Sequence, residues 1–172
     1  QYVERGQMWS MLLSVLVIGV ILVIIFSNWK VGLIGMIPNI APAIIVGGMM
    51  GWLNYPLDMM TASLIPMVLG IAVDDTIHFI NHGHLAYNRY SSYDMAIRRT
   101  FRTEGLAIVM STVIISVTFA GFMVSSALQL RNWGILAIAG MLSALLADLF
   151  ITPILFKYLH IFGKDKRGKS DN

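Results

Sequence analysis

Residues Gly70 to His84 read GIAVDDTIHFINHGH, and two adjacent carboxylates, Asp74 and Asp75, stand near the end of an otherwise apolar run from Met59 to Ile80. At about 1.5 Å per helical residue that run can cross a hydrocarbon core roughly 30 Å thick. An ionisable side chain inside such a run is costly and marks a functional site by default.

The composition agrees with a membrane setting. Of 172 residues, 57% are hydrophobic and 12% charged, with a mean hydropathy of +0.74, against about half apolar and a quarter charged in soluble domains. The absence of cysteine excludes a disulfide framework and a thiolate metal site. A net charge of +3 is too small and too local to suggest a nucleic-acid partner. The fold class expected is an all-α integral membrane protein, residues 1–172 forming a single transmembrane domain.

Five transmembrane helices are expected, over about 8–27, 31–53, 58–80, 106–128 and 132–158. Trp9 and Trp29 stand near the ends of the first span, where interfacial aromatics belong. In the second, Pro38, Asn39 and Pro42 would break a lone helix in lipid, so this span must pack against protein. Its Gly47 and Gly51 form a GxxxG pair, and Gly48 lies beside them, a pattern that admits a close neighbour. Short connections make the first three spans, and the last two, antiparallel neighbours.

Orientation follows from the Lys and Arg in the connections. Of the twelve in the chain, only Arg5 and Arg131 fall on one side, and the positive-inside rule makes that side the outer one. The N-terminus is then periplasmic and the basic tail, 159–172, cytoplasmic. Five spans with an outside N-terminus imply at least one more span upstream, and a start at Gln1 reads as a piece of a longer protein. The polar end GKDKRGKSDN reads as a natural C-terminus.

Between the third and fourth spans, Ser91 and Asp94 have capping-box spacing at the start of an expected interfacial helix over 91–104. Tyr93, Ile97 and Phe101 recur on one stripe, with Arg98, Arg99 and Arg102 off it. That is the pattern of a helix lying on an anionic leaflet, and equally of a solvated connecting helix.

On a wheel of 100° per residue with Asp74 at zero, His78 falls at about 40°, Asn81 and Ser63 at about −20°, Gly70 at about −40°, His82 at about 80° and Asp75 at about 100°. This polar face must meet protein or water. Asp74 and Asp148 each lie about 16 residues from the outer end of their spans, and Ser111 and Thr112 about six from the inner end of theirs, so the four share one depth. Two carboxylates this close in a low-dielectric layer cannot both ionise cheaply, and would exchange protons as a unit. Asp74 and Asp75 are therefore the proton-relay candidates, with His78, Ser111, Thr112 and Asp148 in support. Plainer readings stand beside these. His78 can serve as a hydrogen-bonded partner of an Asp, Asp148 as a helix-packing group, and the hydroxyls as donors to their own helix. His78 and His82 stand four apart with Asp75 alongside, a spacing that zinc enzymes use. The pattern lacks the adjacent Glu of H-E-x-x-H and an obvious third ligand, so no metal site is expected.

PNIAP from Pro38, NYPLD from Asn54, GIAVDDTIHF from Gly70 and ADLFITP from Ala147 occur in this order along nearly the whole chain. Together they resemble the second half of the membrane domain of a resistance-nodulation-division (RND) superfamily exporter, in its MmpL, hopanoid-exporter and Patched-like branch. The resemblance implies helices eight to twelve of a twelve-helix domain. It places Gly70, Asp74 and Asp75 on the family's GxxxDD motif, with Thr112 near a relay hydroxyl. Many members pair one Asp with Tyr, and multidrug members use Lys in the second half, whereas this chain has Asp75. By the same resemblance the coupling ion is the proton and there is no cofactor. The partners are membrane lipids, the N-terminal half and periplasmic domains of the same protein, and a hydrophobic substrate, a homo-oligomer being left open. The location implied is a bacterial inner membrane. Two rivals share the layout: a lipid-binding regulatory module like a sterol-sensing domain, and a SecDF-like factor that uses proton flow to pull secreted protein. An enzyme is disfavoured because no activated nucleophile stands near the pair.

Overall fold

A computed structural model describes residues 2–56 and 58–159, and among these all regular structure is helical. The helices are α1 (Tyr2–Phe26), α2 (Trp29–Trp52), α3 (Met59–Tyr90), α4 (Tyr93–Thr100), α5 (Leu106–Ala120), α6 (Leu128–Leu146) and α7 (Thr152–Leu159). A π-helical turn, Phe101–Gly105, makes α4 and α5 continuous, and a second, Ala147–Ile151, does the same for α6 and α7. A 3-10 turn, Gly121–Val124, ends α5. Among the described residues, Trp29–Trp52, Met60–Tyr90, Tyr93–Val124 and Leu128–Leu159 are each long and apolar enough to cross a membrane, and α1 adds the apolar stretch Leu12–Phe26. The protein is an all-α membrane protein. Residues 160–172, most of the expected basic tail, lie outside the described residues.

Local chemistry sets the helix starts. The Asn28 side chain accepts from the backbone N–H of Lys30 (3.0 Å) at the head of α2. A capping box opens α3: Asp58 Oδ1 accepts from Thr61 N (2.8 Å) while Thr61 Oγ1 accepts from Asp58 N (3.0 Å). The core lies where α2, α3 and α6 meet, around Val46, Met50, Leu64, Val68, Leu136 and Ala137. Close approach depends on Gly140, where a Cβ would come within 2.9 Å of Val46 and 3.0 Å of Val68. Pro38, Asn39 and Pro42 are all buried, which is how α2 carries two prolines: it packs against α1, α3 and α6.

Three local expectations are corrected. First, α3 does not stop at Ile80 but runs to Tyr90, and Ser91 and Ser92 alone separate it from α4. Second, the segment 91–104 is not a separate interfacial helix. Its N-cap position is Ser92, which makes no side-chain capping bond, rather than Ser91, whose φ of 51° instead terminates α3, and it continues directly into α5. Its Tyr93, Ile97 and Phe101 stripe lies on α3, not on a leaflet: Tyr93 packs on Tyr87 with ring centroids 4.6 Å apart, and Phe101 on Phe79 at 5.4 Å. The extension of α3 has its own stripe, Phe79, Gly83, Ala86 and Tyr87, and two such stripes bury each other. Third, the GxxxG pair of α2 meets no neighbour among the described residues, a Cβ at Gly47, Gly48 or Gly51 finding nothing within 4 Å. The close contacts of α2 are instead at Gly32, against Val23 of α1, and Gly35, against Ile80 of α3.

Candidate functional site

The inner half of α3 presents two polar surfaces with opposite fates. On one, Asp74 and His78 have side chains 73% and 58% exposed, His78 Nε2 lying 3.8 Å from Asp74 Oδ1 one turn away. Gly70 and Asn81 extend this open face, and a Cβ on Gly70 would meet nothing within 4 Å. Asp75 is half-buried at its margin, close enough to Asp74, His78 and Asp148 to interact with each electrostatically. Of the polar residues on the wheel, Gly70, Asp74, His78 and Asn81 form one face that no described residue covers, while Asp75 and His82 lie partly buried at its edge.

The other surface is Thr76, fully buried. Its Oγ1 donates to Asp148 Oδ1 at 2.6 Å and accepts from Asn39 Nδ2 at 3.1 Å. Ala72 O lies 3.1 Å from the same hydroxyl, but a single proton cannot serve both acceptors, and the shorter contact to a carboxyl group is the stronger. Asn39 also donates to Gly35 O at 2.8 Å, and its Oδ1 meets no donor among the described residues. Thr152 closes the group, its Oγ1 lying 3.2 Å from Asp148 Oδ1. Four side chains from α2, α3, the second π turn and α7 thus form one buried polar network around Asp148, itself 1% exposed. The π turn shifts the register of its helix at this acid, a feature frequent at functional positions.

The remaining candidates lie apart from this network. Ser111 donates to Ile108 O of its own helix at 2.9 Å. Thr112 is buried on α5, which packs chiefly against α6. The structure therefore joins Asp148 and Asn39 through Thr76, and among the described residues no hydrogen bond links Ser111 or Thr112 to a carboxylate. Thr76 and Thr152 were missed by sequence reasoning. Thr152 had a signal, lying four residues after Asp148 and so on the same face; Thr76 had none, because it sits about 200° from Asp74 on the wheel.

A third missed residue is Glu104. Carried on the first π turn, it places Oε1 3.2 Å from His82 Nδ1, with side-chain exposures of 17% and 41%. His78, His82 and Glu104 each offer one ligand atom within 4.8 Å of the others, and these are the described residues that could hold a metal.

With this geometry in view, comparison with known proteins defines the class. The pattern of the MMPL family matches residues 1–169, and the chain belongs to that family. It is also similar to a membrane protein of Methanocaldococcus jannaschii, 25% identical over 173 residues that cover 99% of this chain and 45% of the relative. The chain therefore spans less than half the length of that relative. No solved structure matches it.

Proposed function

We propose that this chain is the C-terminal membrane half of a proton-motive-force-driven RND-type exporter of lipids or other hydrophobic compounds, with Asp74 and Asp75 as the proton relay. The observation that carries this reading is the open polar face of α3. Asp74 and His78 stand uncovered on a helix long and apolar enough to span a bilayer, and such groups face the interior of a bundle or a water-filled path, not lipid. Membership of the MMPL family and the half-length match to a relative support a second half that covers this face. Transporter sites commonly lie at the interface of two such repeats. His78 then passes protons to Asp74, and Asp148, held by Thr76 and Thr152, forms a buried acid behind Asp75. The orientation is N-terminus periplasmic and C-terminus cytoplasmic in a bacterial inner membrane.

The test is transport by the full-length protein in liposomes under an imposed pH gradient, with a lipophilic dye or labelled lipid as cargo. Gradient-dependent movement by the wild type, lost in Asp74→Asn and Asp75→Asn, is the expected result. Retained movement in both variants rejects the relay, and pH-independent lipid binding without movement favours a sensor module.

A further inference from the structure

The geometry points to a divalent transition-metal site of the zinc type formed by His78, His82 and Glu104 at the end of the polar face of α3. The site shares His78 with the proposed proton relay, and it is tested apart from the relay by metal binding alone. Spacing alone offered His78 and His82 without a third ligand; the fold supplies it from a different helix. The π turn Phe101–Gly105 carries Glu104 against α3, and the three donor atoms lie within 4.8 Å of one another.

The donor set specifies the ion. Two imidazole nitrogens and one carboxylate oxygen suit zinc and its first-row neighbours, whereas calcium and magnesium prefer all-oxygen shells. In a tetrahedral site with bonds of about 2.0–2.1 Å, neighbouring ligand atoms stand roughly 3.3 Å apart. His82 Nδ1 and Glu104 Oε1 already sit at 3.2 Å. The His78 donor lies within 4.8 Å of the other two, and its side chain, 58% exposed, has room to turn toward them. Glu104 is largely buried and so held in place, and the Asp74 carboxylate, 3.8 Å from His78, adds negative charge that favours a dication. Three protein ligands leave a fourth position to water. A metal bound here would tie α3 to the α4–α5 rod one turn beyond Asp74 and Asp75, and so hold the orientation of the relay helix.

The experiment is Zn2+ binding to the tag-free full-length protein in detergent, followed by competition with a chromophoric chelator, with Co2+ substitution as an optical readout. The expected result is one Zn2+ per chain and the visible absorption of four-coordinate Co2+. Affinity should fall at least about ten-fold in His82→Ala and Glu104→Gln, with His84→Ala unchanged. Absence of stoichiometric binding, or wild-type affinity in both variants, overturns the proposal. Should His82→Ala aggregate, the near-isosteric Glu104→Gln decides alone. Because the readout is metal binding, a failure of proton-coupled transport leaves this result standing, and the converse holds.

Discussion

Replacing Thr76 with Val keeps the shape of the side chain and removes the hydroxyl on which the buried network turns. Two hydrogen bonds disappear, the donation to Asp148 at 2.6 Å and the acceptance from Asn39 at 3.1 Å. Asp148, 1% exposed, is left with Thr152 at 3.2 Å. Hydrogen bonds between membrane helices contribute on average about 0.6 and at most about 1.7 kcal/mol. One of these involves a carboxyl group that cannot reach water, which places the pair near the upper end, so the expected loss is about 2–3 kcal/mol. Thr76→Ser is the control: it keeps the hydroxyl and loses one buried methyl, costing about 1 kcal/mol. The assay is reversible unfolding of the protein in mixed detergent micelles, followed by circular dichroism. A double-mutant cycle with Asp148→Asn should add a coupling of about 1–2 kcal/mol between the two positions. The reasoning fails if Thr76→Val lies within about 0.5 kcal/mol of wild type, or if Thr76→Ser is as damaging as Thr76→Val.

The glycines give opposite expectations in the same assay. Gly140→Ala drives a methyl to within 2.9 Å of Val46 and 3.0 Å of Val68, both branched and fully packed, and should cost about 1–3 kcal/mol. Gly83→Ala meets the Phe156 ring at 2.5 Å and should loosen the joint between α3 and α7 by a similar amount, visible as a lowered unfolding midpoint. Gly47→Ala meets nothing and should be neutral or stabilising by up to about 1 kcal/mol, unless a partner half seats on that face in the full-length protein. Asp74→Asn, at an uncovered position, should change stability by less than about 0.5 kcal/mol while abolishing gradient-driven transport, a separation that compares unfolding with flux in one preparation.

The membrane setting, the helical class and the family all lie in the linear sequence, because apolar length and composition are summed along the chain and need no partner. Asp58 and Thr61 announce the start of α3 for the same reason, since both halves of a capping box sit within one turn. The open polar face was likewise present in the spacing of Gly70, Asp74, His78 and Asn81, which a single helix brings together. What tertiary structure decided is which of the polar residues meet across helices. Thr76 lies on the side of α3 away from Asp74, and nothing local shows that α2 delivers Asn39, and a π turn delivers Asp148, to that side. The stripe of Tyr93, Ile97 and Phe101 specified a surface to bury but not its cover, and α3 supplied the cover by extending to Tyr90. Glu104, carried on a π turn, meets His82 from a different helix. Periodicity fixes the direction of a side chain about its own axis, whereas the depth, rotation and identity of the neighbouring helix come from packing, where the close approaches at Gly32, Gly35 and Gly140 set which faces can touch.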